Sequence, residues 1–121
     1  MEIGDDSELI TECRKYLEKH KHLKLLVKLG HLGCVLCQYN SEGVFEWMHE
    51  EAVKFEDHPD KSLVDVTAAG DCFMGALAFK LLNGSPDREA LAFANQIGFL
   101  CVTKFGAVPS VPSYAEWETS F

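Results

Sequence analysis

Residues 65–77 bring together the residue types that phosphate chemistry uses, in the order Asp-Val-Thr-Ala-Ala-Gly-Asp-Cys-Phe-Met-Gly-Ala-Leu. The small side chains of Ala68, Ala69 and Gly70 let backbone amides converge on one point, and the helix that follows leaves its first amides without intrahelical partners. The positive end of the helix dipole lies at the same place, so we expect an anion to bind there. A carboxylate at such a site suits a general base. Asp71 is therefore the candidate that takes a proton from an alcohol attacking a phosphoryl group.

A structural interpretation of the same residues stays open at this point. Aspartate is abundant at helix starts, where its carboxylate accepts a hydrogen bond from a first-turn amide. Asp65 and Asp71 would then be helix caps. The spacing alone does not separate a cap from a catalytic acid, because one turn motif is weak evidence.

Hydrophobic periodicity and Gly/Pro punctuation predict the elements that position this turn. In chain order they are a helix over 8–20, a buried parallel strand over 23–29, strands over 34–39 and 44–49 joined by a loop at 40–43, a strand over 63–66, a buried helix over 71–82, a helix over 86–103 capped by Ser85, and a short helix over 113–120. This alternation predicts an α/β layered fold, with the Ala-Ala-Gly-Asp turn at the carboxyl end of a strand. We expect residues 1–121 to form a single partial domain.

Three motifs, in one order, resemble the ribokinase-like (phosphofructokinase-B) family of carbohydrate kinases. Residues 65–76 resemble its pattern D-T-x-[GA]-A-G-D-x-F-x-G-A, with Ala68 where many relatives have Gly. Asn95 and residues 102–112 resemble the segment ending in V-T-x-x-G-A-x-P-S-x-P, and residues 28–33 resemble [TK]-L-G-x-x-G. The resemblance is greatest to ribokinases. It implies the carboxyl-terminal, nucleotide-binding portion of a ribokinase-like three-layer fold.

The resemblance also implies roles for individual residues in ATP-dependent phosphoryl transfer to a sugar hydroxymethyl group. Asp71 would be the base, and the amides of Ala69, Gly70 and Asp71 would stabilise the γ-phosphoryl group. The residues that would contact ATP or ADP elsewhere are Lys28, Gly30, His31, Gly33 and Asn95. A plain strand-to-strand turn remains the alternative for Gly30 and Gly33, and a surface amide remains the alternative for Asn95.

A monovalent-cation site follows from the same resemblance, and K⁺ suits an oxygen-only set made largely of carbonyls. Its ligands would be the Asp65 side chain, the Ser110 hydroxyl and the carbonyls of Thr67, Cys101, Lys104 and Gly106. Mg²⁺ would accompany ATP. The family's N-x-x-E element, which helps hold the Mg²⁺ hydration shell, does not occur in this sequence.

The length of 121 residues bears on substrate and partners, because family members are more than twice as long. The residues that grip the sugar are not in this sequence, so ribose is favoured only by resemblance. A chain of this kind would also leave a sheet edge uncovered, which favours a missing amino-terminal portion or self-association as its partner. The alternative function is a non-catalytic nucleotide-binding or interaction module derived from such a kinase.

Composition and charge indicate an ordinary globular domain. The formal net charge of −8 disfavours non-specific binding to nucleic acid or to an anionic membrane. Five cysteines lie mostly in apolar runs, which indicates reduced core thiols and a cytoplasmic location. The Cys34-x-x-Cys37 spacing could suggest a metal or redox motif. Residues three apart in a strand face opposite sides, however, so we interpret both as core thiols.

Overall fold

A computed structural model describes residues 3–121. Packing divides the chain into one unit that ends at Glu50 and a second unit, Glu51–Phe121. We describe each unit by itself. None of the helices in the described range has both the length and the apolar character needed to cross a bilayer.

The first unit is one helix and a three-stranded sheet. Helix α1 spans Glu8–Glu18, and strands β1, β2 and β3 span Lys24–Lys28, Cys34–Tyr39 and Phe45–Glu50. The Ser7 hydroxyl caps α1 by accepting a hydrogen bond from the Ile10 amide at 3.4 Å. The buried face of α1 packs on β2 through a core of Ile10, Cys13, Leu17, Val35 and Cys37. The interpretation of Cys34 and Cys37 as core thiols is confirmed, since both are fully buried.

The sheet has the order β1-β2-β3, and both pairings are antiparallel. The prediction of a buried parallel strand at 23–29 is therefore wrong, and β1 is a half-buried edge strand. The reason lies in the connection. A 3₁₀ turn over Gly30–Leu32 reverses the chain within a few residues, and so short a link can only return the next strand antiparallel.

The second unit is helical. Helices α2, α3 and α4 span Ala69–Leu82, Asp87–Val102 and Tyr114–Ser120. Helix α2 packs against α3, and their contact forms most of the core of this unit. All three predicted helices are confirmed to within two residues. The capping prediction for α3 is wrong, because Pro86 occupies the N-cap position and Ser85 precedes it.

Two further predictions for this unit are wrong. Residues 63–66 form no strand; the Val64 and Asp65 amides instead both donate to the Val102 carbonyl, at 2.8 and 3.2 Å. Nor is α2 buried on most faces, because Phe79 and Leu82 are 51% and 87% exposed. An apolar composition shows that a helix has surface to bury, but only the face of α2 toward its neighbours within the unit is covered.

Candidate active site

The first turn of α2 carries the candidate anion site. The N-cap residue, Ala68, has no side chain able to accept a hydrogen bond, and no other side chain caps the helix. The Ala69 amide, predicted as a third donor to the phosphoryl group, instead donates to the Val66 carbonyl at 3.2 Å. The amides of Gly70 and Asp71 have no acceptor among residues 3–121, which leaves them as the open donors of this turn.

Asp71 lies in that same turn with an exposed side chain. Its carboxylate makes no hydrogen bond or ion pair with any residue the structure describes, and no carboxylate caps α2. The interpretation of Asp65 and Asp71 as caps of this helix is therefore wrong. Two open amides and a carboxylate with no structural partner share one helical turn, an arrangement that can bind a phosphate and hold a base beside it.

The Asp65 carboxylate connects the first motif to the last. Its Oδ1 atom accepts hydrogen bonds from the Thr67 hydroxyl and, at 3.0 Å, from the Thr67 amide, while Oδ2 accepts from the Gly106 amide at 3.0 Å. These donors favour the ionised form, so the Thr67 hydroxyl first, and then the Gly106 and Thr67 amides, hold the pKa of Asp65 below its ordinary value. The carboxylate thus fixes the turn before α2 to the loop after α3.

The remaining residues of the predicted cation site lie in the same region. The Cys101 carbonyl accepts from the Lys104 amide at 3.3 Å. The fully buried Ser110 donates from Oγ to the Ala107 carbonyl at 2.6 Å, and this hydroxyl lies 3.4 Å from Cys101 Sγ. Short contacts within the second unit thus join Asp65 to Thr67 and Gly106, and join Cys101 to Lys104 and Ser110.

The donor chemistry of this region fits a monovalent cation. It offers a carboxylate, a hydroxyl and backbone carbonyls, the hard oxygen set that suits K⁺. Asp65 accepts three hydrogen bonds here, and a carboxylate has about four acceptor positions, so it keeps capacity for an ion. The described residues contain no cluster of three or more His, Cys, Asp or Glu side chains of the kind that holds a divalent metal.

A cleft of about 510 Å³ opens beside the first turn of α2. It is lined by Asp71, Cys72 and Phe79 of α2 and by Val108, Val111 and Tyr114 of the segment that leads into α4. Most of these side chains are apolar. The sequence analysis missed this cleft, because the exposed apolar residues of 105–114 gave no periodic signal that would place them opposite α2.

The other predicted nucleotide contacts are placed as follows. Lys28 ends β1, His31 is exposed within the 3₁₀ turn, and Gly30 and Gly33 have φ values of +59° and +90°. The turn alone accounts for both glycines, since positive φ favours Gly. In the second unit, Asn95 Nδ2 donates to the Glu51 carbonyl at 3.0 Å. Asn95 is therefore a half-buried amide with a backbone partner.

Comparison with known proteins decides the family. A family model described as pfkB family carbohydrate kinase matches residues 2–113, nearly the whole chain. The chain belongs to the pfkB family of carbohydrate kinases. This membership confirms the resemblance drawn from the three motifs, and with it the ribokinase-like α/β fold.

Individual relatives in the pfkB family agree. The chain is 35% identical to a probable fructokinase-3 of Arabidopsis thaliana, with 90% of this chain aligned to 32% of that protein. It is 33% identical to a ribokinase of the same plant, across 88% of this chain and 24% of the relative. A ribokinase structure from Thermotoga maritima superposes with a TM-score of 0.74 and 34% identity, over 90% of this chain and 33% of that one.

The structure of Arabidopsis thaliana ribokinase complexed with ribose and ATP also superposes with a TM-score of 0.74, at 27% identity over 94% of this chain and 34% of that one. The chain therefore spans between about a quarter and a third of the length of these pfkB relatives.

Proposed function

We propose that this chain provides the phosphate-binding and proton-accepting part of an ATP-dependent sugar kinase, which transfers the γ-phosphate of ATP to a sugar hydroxymethyl group. One observation carries the proposal: two open amides and the exposed, unpartnered Asp71 carboxylate share the first turn of α2. Membership of a carbohydrate kinase family supports it.

The reaction follows from the roles of these groups. The Gly70 and Asp71 amides, with the helix dipole behind them, donate to the γ-phosphoryl oxygens as negative charge shifts during transfer. The Asp71 carboxylate accepts the proton of the sugar hydroxyl, whose oxygen attacks phosphorus while ADP leaves. The carboxylate also repels the phosphates. ATP affinity at this site is therefore lower than the amides alone would provide.

Two ions belong to this proposal. Asp65, Thr67, Cys101, Lys104, Gly106 and Ser110 would hold K⁺, whose charge would stabilise the turn in its phosphate-binding form. Mg²⁺ would be bound mainly by the nucleotide, since it takes few protein ligands and usually keeps phosphate oxygens and water. The proposal that Mg²⁺ accompanies ATP is supported by the structure of a putative ribokinase II from E. coli in complex with ATP and Mg²⁺, which is 27% identical to this chain.

The sugar is proposed at the level of class. Relatives named fructokinase and ribokinase are comparably similar to the chain, at 35% and 33% identity. Ribose is favoured because the segments 68–71 and 106–110 most resemble ribokinases. In a form of the protein that phosphorylates sugar, comparing ribose with fructose as acceptors distinguishes the two, since only the true acceptor will raise ATP turnover above the sugar-free rate.

A binding or interaction module is the second candidate, and exposed surface favours it. Among the described strands, β1 and β3 each pair on one side only, and α2 exposes Phe79 and Leu82. Unpaired edges and apolar surface tend to be covered by a partner. Sedimentation or light scattering tests this candidate: a folded, strictly monomeric chain that phosphorylates sugar would contradict it.

Calorimetric titration tests the primary proposal. ATP and ADP are titrated into the folded chain with K⁺ and with choline as the replacement cation; we expect binding that K⁺ strengthens. Asp65→Asn should abolish the K⁺ effect, whereas Asp60→Asn, the same charge change at an exposed site in the same unit, should preserve it. A folded chain that binds neither nucleotide under either condition would refute the proposal.

A further inference from the structure

Two cysteines from different helices lie in contact beside the candidate base. Cys72 immediately follows Asp71 in α2, and Cys101 lies in the last turn of α3, 29 residues away. Their Sγ atoms are 3.3 Å apart. The exposed fraction of Cys72 is 9% and that of Cys101 is 0%. The two thiols therefore connect the start of one helix to the end of the other.

The two thiols differ in their access to small molecules. Cys72 lines the 510 Å³ cleft together with Asp71, so a small oxidant entering that cleft reaches Cys72 first. Cys101 lies behind it. A second buried thiol pair, Cys13 and Cys37, interacts within the core of the first unit and does not line this cleft. The chain thus contains its own control pair.

We propose that Cys72 and Cys101 are a site of reversible disulfide formation that regulates the phosphate-binding turn. With hydrogen peroxide as the oxidant, the Cys72 thiolate attacks one peroxide oxygen, giving a sulfenic acid and one water. The Cys101 sulfur then attacks the Cys72 sulfur and a second water leaves. Two thiols and one peroxide thus give one disulfide and two waters, and a dithiol reductant reverses the change.

Bridge formation has a geometric consequence for the site. A disulfide bond is about 2.05 Å long, so the 3.3 Å separation must shorten by roughly 1.2 Å. Cys72 is covalently next to Asp71, and the movement therefore passes into the first turn of α2. If the movement misaligns the turn by the equivalent of one lost charge-assisted hydrogen bond to phosphate, ATP binding weakens by about tenfold or more. This consequence rests on the proposed function; formation of the bridge does not.

Mass spectrometry tests the bridge directly. The folded protein is treated with hydrogen peroxide, remaining thiols are alkylated, and peptides are mapped with and without dithiothreitol. We expect a Cys72–Cys101 cross-linked peptide that forms before any Cys13–Cys37 product and disappears on reduction. Oxidation of other thiols while Cys72 and Cys101 stay unlinked would overturn the proposal.

ATP titration before and after oxidation tests the regulatory part. We expect ATP affinity to fall about tenfold or more and to return with dithiothreitol, as estimated above. Cys72→Ala should remove the sensitivity and Cys13→Ala should keep it. A mapped bridge with unchanged ATP affinity would overturn regulation of the turn. A reduced protein that binds no ATP would overturn the proposed function instead, and the peptide map alone would then decide the bridge.

Discussion

Replacing Asp71 with alanine separates the catalytic role of this residue from a structural one. The side chain is exposed and has no hydrogen bond or ion pair within residues 3–121, so the variant loses only its favourable position near the helix dipole, worth about 0.3–1 kcal/mol. Alanine restores up to about 0.7 kcal/mol through its higher helix propensity. The two terms nearly cancel. We expect the free energy of unfolding to change by no more than about 0.5 kcal/mol.

Ser113→Ala is the matched control, because Ser113 caps a helix in the same unit. Its Oγ accepts from the Glu116 amide at 3.2 Å, and the Ser113 amide donates to the Glu116 carboxylate at 3.3 Å. Removing such a cap costs about 1 kcal/mol. Urea unfolding of the two variants and the parent chain should therefore rank Ser113→Ala as clearly less stable and Asp71→Ala as nearly unchanged.

The rate of phosphoryl transfer supplies the second measurement for Asp71→Ala. In any form of the protein that phosphorylates sugar, loss of the proton acceptor should lower turnover by about 10²- to 10⁴-fold. ATP affinity should hold or rise slightly, because a negative charge beside the phosphates has been removed. A variant that loses about 1 kcal/mol of stability, as a lost cap would, and keeps its rate would refute the assignment of Asp71 as the base.

Three further substitutions test the loop, the hydrogen bonds and the core packing that support the site. Gly106→Ala places a side chain at φ +93°, so we expect a loss of about 1 kcal/mol or more in urea unfolding. The pKa of Asp65 is lowered from 3.8, chiefly by Thr67, so its stabilising effect is present above about pH 4 and lost as pH falls through the lowered value. In Asp65→Asn, the free energy of unfolding measured by urea should fall less between pH 4 and lower pH than it does in the parent chain. Leu91→Ala opens a cavity at a fully buried position and should cost about 2–5 kcal/mol, and a smaller loss would contradict the packing of α3.

Local signals predicted the four helices and the strands over 34–39 and 44–49 to within two residues. The predicted helix over 8–20 begins at Glu8, where the Ser7 hydroxyl caps it, and the predicted helix over 71–82 ends at Leu82 as predicted. The strand at Cys34–Tyr39 agrees with its predicted bounds. These features depend on hydrogen bonds and side-chain patterns within a few residues, which is the range that sequence reports directly.

Long-range pairing could not be predicted in the same way. An apolar run such as 23–29 indicates a strand, but its partner and direction depend on which segment lies beside it. The run 63–66 has strand-forming residues, yet its amides bond to the Val102 carbonyl at the end of α3. A strand is completed only by a neighbouring strand, and none is placed there among the described residues.

The sequence by itself determined the family and the turn with Asp71 in it, because those motifs are runs of residue types read in order. It also predicted a set of residues for nucleotide and cation, which stays a prediction. Tertiary structure decided which of these groups are bonded to one another and which stay open to a ligand. Only the fold shows that Asp65 bonds to Gly106, that the Gly70 and Asp71 amides stay open, and that Cys72 meets Cys101. These contacts join residues about 30 to 40 positions apart, and their formation depends on how α2, α3 and the loop after α3 pack, which no local pattern encodes.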